Sequence, residues 1–209
     1  MKLLLSILLS VTLLGAEVPV APQKAEKSGA DAPCCRTPLA LGAPSDKSVY
    51  LVESKWTSDR GATIPLSVLR GRPQVVAMFF SNCEYACPIL VNDMKRIETQ
   101  LRPELREKVD FALVSFDSAR DTVEALAAFR KRVGLAVSRW SLLRGEADDV
   151  RELAALLGIN YVPDARGQFA HTNVLTLLNA EGEIVFQQAG LNSDPTPMLE
   201  AIKRAVAAK

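Results

Sequence analysis

Among 209 residues, 25 Lys and Arg face 24 Asp and Glu, 48% are hydrophobic and 6% aromatic, and there are one His and four Cys. A formal charge of +1 without long basic runs leaves no electrostatic footprint for a nucleic-acid duplex or an anionic membrane surface, which excludes nucleic acid as an expected partner. The single imidazole excludes HExxH zinc centres and three-His metal sites, and the length and apolar fraction suit one globular domain with an appendage.

The appendage comes first. Residues 1–16, MKLLLSILLSVTLLGA, read as a secretory signal peptide: one Lys, an apolar run from Leu3 to Leu14, then the small residues Gly15 and Ala16. That run of about 12 residues is short of the ~18–20 that span a bilayer; an uncleaved membrane anchor is the alternative. No Cys directly follows the run, so a lipoprotein anchor is not expected. Cleavage would remove Lys2 and no acid, leaving a formally neutral mature chain exported to the periplasm or another extracytoplasmic compartment. Residues 17–45 are rich in Ala, Pro, Lys and Gly without apolar periodicity and read as a flexible linker. It holds the vicinal pair Cys34-Cys35, for which an extra metal-capturing or redox pair, an intermolecular disulfide and an inert pair are equally open readings.

Residues 46–209 read as one domain. VYLVES (49–54) and ATIPL (62–66) around Ser58-Asp59-Arg60-Gly61 predict a β-hairpin. QVVAMFF (74–80) is a continuous apolar run, the pattern of a strand covered on both faces. After Pro88, Leu90, Met94, Ile97 and Leu101 fall on one helical face that closes at Pro103. FALVSF (111–116) is a second buried strand. Asp121 or Thr122 can cap a helix carrying Val123, Leu126, Phe129, Arg130 and Val133, which ends at Gly134. A strand over 140–143 precedes a helix with Val150, Leu153 and Leu157 on one face and Gly158 at its end. Val174–Leu178 and 184–188 flank the turn Asn179-Ala180-Glu181-Gly182, and Leu199, Ile202 and Val206 mark a final helix. This order predicts an α/β fold with a mixed central sheet flanked by helices and an N-terminal β-hairpin, with functional groups at the carboxyl ends of its strands.

Cys83 lies three residues past Phe80, in that zone. Pro88 is at home in a first helical turn, which places Cys87 at or beside the helix N-cap, where free N–H groups and the helix dipole favour thiolate. Cys83 can fold back over the same helix end; Glu84 beside it opposes thiolate formation and favours a cation. Two low-pKa thiols on an exposed turn can form a disulfide, exchange with others or bind a soft cation. A purely structural disulfide is the alternative, although a bridge closing so short a loop restrains little chain. If the strand after His171 lies near the one ending at Phe80, the imidazole can join the two sulfurs. Three such donors suit trigonal Cu(I), or Cu(II) with a further ligand, whereas zinc prefers four. Otherwise His171 is a capping or partly buried histidine without a ligand role.

A strand ending in Phe79-Phe80, then Cys-x3-Cys-Pro, then SFDSARDT (115–122) before a helix, then His171-Thr172 ahead of a β-hairpin, resembles the SCO/SenC family of copper-binding thioredoxin-fold proteins, from roughly Lys47 to the C-terminus. The resemblance implies a thioredoxin-like fold, Cys83, Cys87 and His171 as copper ligands, and a part in maturing the dinuclear copper centre of cytochrome c oxidase as copper donor, thiol–disulfide reductant or both. The partner implied is a copper-receiving oxidase subunit or another copper protein. Many members carry Pro where Glu84 stands and Asp-Pro where Asp117-Ser118 stands, and the family usually has a membrane anchor. Two functions follow as expectations: an exported copper metallochaperone, or a thiol–disulfide oxidoreductase using Cys83 and Cys87 on a target's cysteines. A peroxidase lacks support, because no peroxide-activating Thr and Arg accompany Cys83.

Overall fold

The computed structural model describes residues 43–208 apart from residue 166. The signal-peptide reading of 1–16, nearly all of the linker 17–45 and the pair Cys34-Cys35 lie outside the described residues. Among the described residues, nine strands and five α-helices follow in chain order: β1 Lys55–Ser58, β2 Thr63–Pro65, β3 Gln74–Phe79, α1 Ala86–Gln100, α2 Pro103–Arg106, β4 Asp110–Ser115, α3 Val123–Val133, β5 Trp140–Arg144, α4 Ala147–Leu156, β6 Tyr161–Pro163, β7 Phe169–His171, β8 Val174–Leu178, β9 Ile184–Ala189 and α5 Thr196–Ala207.

Seven strands form one mixed sheet in the order β2-β1-β5-β4-β3-β8-β9, and β6 pairs with β7 apart from it. The centre is parallel, β3 with β4 and β4 with β5, while β8 joins β3 antiparallel. All of β3 and Phe111–Ser115 of β4 are buried, as continuous apolar runs covered on both faces require. This is the thioredoxin-like arrangement, a mixed sheet flanked by helices. Leu90, Met94 and Ile97 of α1 are at most 1% exposed, so the helix rests its apolar face on the core. Thr122, rather than Asp121, caps α3 by accepting the Ala125 N–H at 3.2 Å, and Gly134 ends it in the left-handed region at φ +67°. Among the described residues, no helix is long and apolar enough to cross a membrane.

The first hairpin begins later than its sequence suggests. Val49–Leu51 forms a turn of 3-10 helix, because the Ser48 hydroxyl takes the Tyr50 N–H and the Val49 N–H bonds to Gly182 at the β8–β9 turn. The strand starts at Lys55, and its pairing of Trp56 with Ile64 sets the hairpin register. Eleven residues on from Pro163 of β6, the unpredicted strand pair β6–β7 has delivered the chain into β8.

The hairpin turn is tied to the sheet by a buried ion pair. Arg130 Nη2 donates to Asp59 Oδ1 at 3.0 Å and to the Trp140 carbonyl at 2.7 Å, so one guanidinium joins the turn, α3 and β5. Asp59→Ala should destabilise the fold by about 3–5 kcal/mol, because it leaves that charge buried without its partner. Urea denaturation measures this, and a loss under about 1 kcal/mol would mean that Arg130 finds water instead.

Candidate metal centre

Two separate pieces of chain meet at the carboxyl end of β3. The chain leaves β3 through Phe80, turns at Cys83, whose N–H bonds to the Phe80 carbonyl at 3.2 Å, and enters α1. Tyr85 is the N-cap of α1 and offers no side-chain cap. Cys83 fills that role: its Sγ accepts the Cys87 N–H at 3.2 Å, one of the N–H groups that a helix start leaves unpaired. Cys87 itself is fully buried and Cys83 half-buried.

His171 arrives from the other side. It ends β7, opposite Tyr161 of β6, just before β8 lies down against β3. Its ring packs beside Phe116, centroids 5.0 Å apart, and edge-on to Phe80 at 6.4 Å. Phe169 and Tyr161 complete the aromatic backing. Nδ1 lies 3.3 Å from the Thr172 carbonyl, which can only accept, so a proton is assigned to Nδ1, and Nε2 is the nitrogen that faces the sulfurs. Nε2 lies 3.8 Å from Cys87 Sγ, and the donor atoms of Cys83, Cys87 and His171 all lie within 4.8 Å of one another.

The two thiols divide the proton unequally. Cys83 is lowered from the ordinary thiol value to about 4, first because the Cys87 thiol donates to it, then because His171 and the N–H groups of Cys87 and Tyr85 do; these together outweigh its partial burial. Cys87 moves the other way, raised because its S–H is committed to Cys83 and because it is buried beside that thiolate and Asp121. The expectation of a thiolate at Cys87 is therefore corrected: its place in the first turn is right, but its N–H serves the sulfur of Cys83. Glu84 does not prevent the Cys83 thiolate, since four hydrogen-bond donors are aimed at that sulfur.

The centre opens on a cleft of about 630 Å³ lined by Phe80, Cys83, Glu84, Tyr85, Phe169 and His171 among others. Tyr85, 79% exposed, stands at its mouth. Metal bonds of about 2.3 Å to sulfur and about 2.0 Å to nitrogen can bridge the 3.8 Å between Cys87 Sγ and His171 Nε2. Two sulfurs and an imidazole are a soft donor set that fits Cu(I), and water from the cleft could add the further ligand that Cu(II) takes.

Residues 45–207 match the family model described as SCO1/SenC. The chain belongs to the SCO1/SenC family. A relative from Stutzerimonas stutzeri, provisionally named a copper-binding protein, is 29% identical over 122 residues, which are 56% of this chain and 57% of that one. The chain thus matches little more than half the length of that relative. Among solved structures, a SCO1/SenC family lipoprotein from Bacillus anthracis str. Ames is 24% identical with a TM-score of 0.68, over 79% of this chain and 99% of that one. Arabidopsis thaliana ScoI, solved with copper bound, is 18% identical with a TM-score of 0.64, over 75% and 97%. Both share the fold of this SCO1/SenC chain.

The structure brings Cys83, Cys87 and His171 together as one group; Cys34 and Cys35 lie outside the described residues. Two parts of the surroundings are absent from the sequence reading. The β6–β7 pair that carries His171 had a local signal in Asp164 and Gly167, where the Asp164 side chain takes the Gln168 N–H at 2.8 Å and Gly167 has φ +73°. Asp121, read as a candidate cap, faces Ser81 instead.

The proton division predicts a reactivity order. In reduced, metal-free protein, Cys83 should alkylate with iodoacetamide well before Cys87, at a rate that falls only as pH drops through about 4. A folded value below the unfolded one means that the thiolate's contribution to stability is present in full above pH 9 and is lost as pH falls toward about 4. Mass spectrometry of the alkylated peptides against pH checks both the order and the midpoint.

Proposed function

We propose that this chain is an exported copper metallochaperone, in which Cys83 and Cys87 as thiolates and His171 through Nε2 hold the ion that is its cargo. The observation that carries the reading is the convergence of the three donor atoms within 4.8 Å at an open cleft, although Cys87 and His171 are 84 residues apart. Family membership and the copper-related name of the Stutzerimonas stutzeri relative support it. Export follows from the signal-peptide reading of residues 1–16, into a periplasmic or other extracytoplasmic space. The receiver would be an oxidase subunit, in assembly of a respiratory oxidase's copper site, or another copper protein.

The residues divide the work. Cys83, half-buried on the turn, is the sulfur an approaching partner meets first. Cys87, buried in the first turn of α1, holds the inner side. The Thr172 carbonyl fixes the His171 ring by taking the Nδ1 proton, as outer partners of metal-bound histidines do. Transfer then proceeds by exchange of ligands, with a partner sulfur replacing Cys83 before the inner donors let go.

A second reading has its own observation: an accessible thiolate beside a buried thiol is the arrangement of a disulfide reductase. The Cys83 thiolate would attack one sulfur of a target disulfide, expelling the other as thiolate. Cys87, giving up its proton, would then attack Cys83 Sγ and release the target's second thiol. The target gains two electrons, the chain is left with a Cys83–Cys87 disulfide, and a thiol reductant restores it. A thiolate of pKa about 4 is a weak nucleophile, however, since nucleophilicity falls with basicity, and this ranks reduction below metal binding.

Anaerobic copper titration of the reduced protein separates the two. Wild type should bind one ion per chain, and the Cys34→Ser/Cys35→Ser variant should do the same. His171→Ala should lose more affinity than the roughly 10–100-fold typical of outer-shell changes, while its Cys83–Cys87 disulfide still forms on oxidation. Undiminished affinity in His171→Ala would remove the imidazole from the site. For the reductase, metal-free protein should reduce a model disulfide, and Cys83→Ser and Cys87→Ser should each abolish it; no exchange at all rejects that activity.

A further inference from the structure

Ser81 is held at every polar atom it has. Its N–H donates to Asp121 Oδ2 at 2.9 Å, its hydroxyl to Asp121 Oδ1, and its carbonyl accepts from Arg132 Nη2 at 2.7 Å. The same Asp121 carboxylate takes the Ser115 hydroxyl, and Ser115 Oγ in turn takes the Asp117 N–H at 3.0 Å. Asp121 is 1% exposed, and its bonds run to neutral donors only, a costly place for a carboxylate. Arg132 reaches in from an exposed position on α3. What these two residues grip is the turn between β3 and α1, two positions before Cys83.

Cys87 needs no such help, being fixed in the first turn of α1. Cys83 sits on irregular chain, and its place over the Cys87 N–H depends on how the turn leaves Phe80. We propose that Asp121 and Arg132 are positioning residues that clamp Ser81 and thereby hold Cys83 Sγ in reach of Cys87 and His171. The inference rests on the copper-site reading above for its metal arm and on the metal-free geometry for its other arm.

The test pairs copper affinity of the reduced full chain with hydrogen exchange of the Cys87 amide in metal-free protein, read by NMR. Asp121→Ala should weaken copper binding about tenfold, the low end of the effect of outer-shell groups, and should speed exchange of the Cys87 amide. Asp121→Asn, which keeps the shape and can still accept the Ser81 N–H, should recover most of both. A folded Asp121→Ala protein with wild-type affinity and a protected Cys87 amide overturns the clamp. Equal losses in the Asn and Ala variants also overturn it, since charge rather than position would then be the cause. If Asp121→Ala does not fold, Arg132→Gln decides: weaker binding and faster exchange support the clamp, and no change in either refutes it. If wild type takes up no copper, the metal reading fails, and amide exchange alone still judges the clamp.

Discussion

The antiparallel pairing of β8 with β3 is the contact on which the metal centre depends. Val76 opposite Thr176 sets the register, so the start of β8 lies beside the carboxyl end of β3. A parallel β8 would carry its start, and His171 with it, to the far end of β3, remote from the cysteines. Both strands are buried on both faces and, apart from Gln74 and Thr176, apolar; a slip of register would have to move buried groups into unlike surroundings. The geometry of a polar, reactive site is thus set by the apolar interior of the sheet beneath it.

On that frame, the chemistry comes from an uneven pair. A helix start has unpaired N–H groups, and here one of them is given to the sulfur four residues earlier rather than to a conventional cap. With the Cys87 thiol also donating to that sulfur, the outer cysteine is favoured as the anion and the inner one keeps its proton. Binding a soft cation removes the reason for the difference, since the ion takes over from the Cys87 proton as the partner of the Cys83 sulfur. Under the proposed function, the site would exchange one proton for one metal ion at Cys87, while Cys83 is ready in advance. Under the proposed chaperone function, a partner arriving at the cleft would meet the half-buried Cys83 first, while the two other donors held the ion until it had bound.

Much of this was legible in the chain itself, and the limits have physical causes. β3 and β4 announce themselves as unbroken apolar runs, and α3 and α4 end at Gly134 and Gly158, both in the left-handed region. Cys-x3-Cys-Pro marks the helix start, and the resemblance drew His171 into the group. The misreadings are cases where a distant neighbour decides a local outcome. Val49–Leu51 has strand-like residues but docks on the β8–β9 turn, which lies more than a hundred residues later in the chain. Asp121 looks like a helix cap until Ser81, 40 residues earlier, claims it. Which cysteine keeps the proton depends on which thiol donates to the other and on burial, and neither is carried by spacing alone.

The same topology sets where the described chain enters the domain. Ser45 bonds to Glu183, and Ser48 to Glu181, so the described chain begins at the β8–β9 turn, the opposite end of β8 from His171. At about 3.4 Å per residue along a strand, the centre is on the order of 27 Å from that turn. The described chain therefore enters away from the cleft, and the donors that meet there come from the turn after β3, the first turn of α1 and the end of β7.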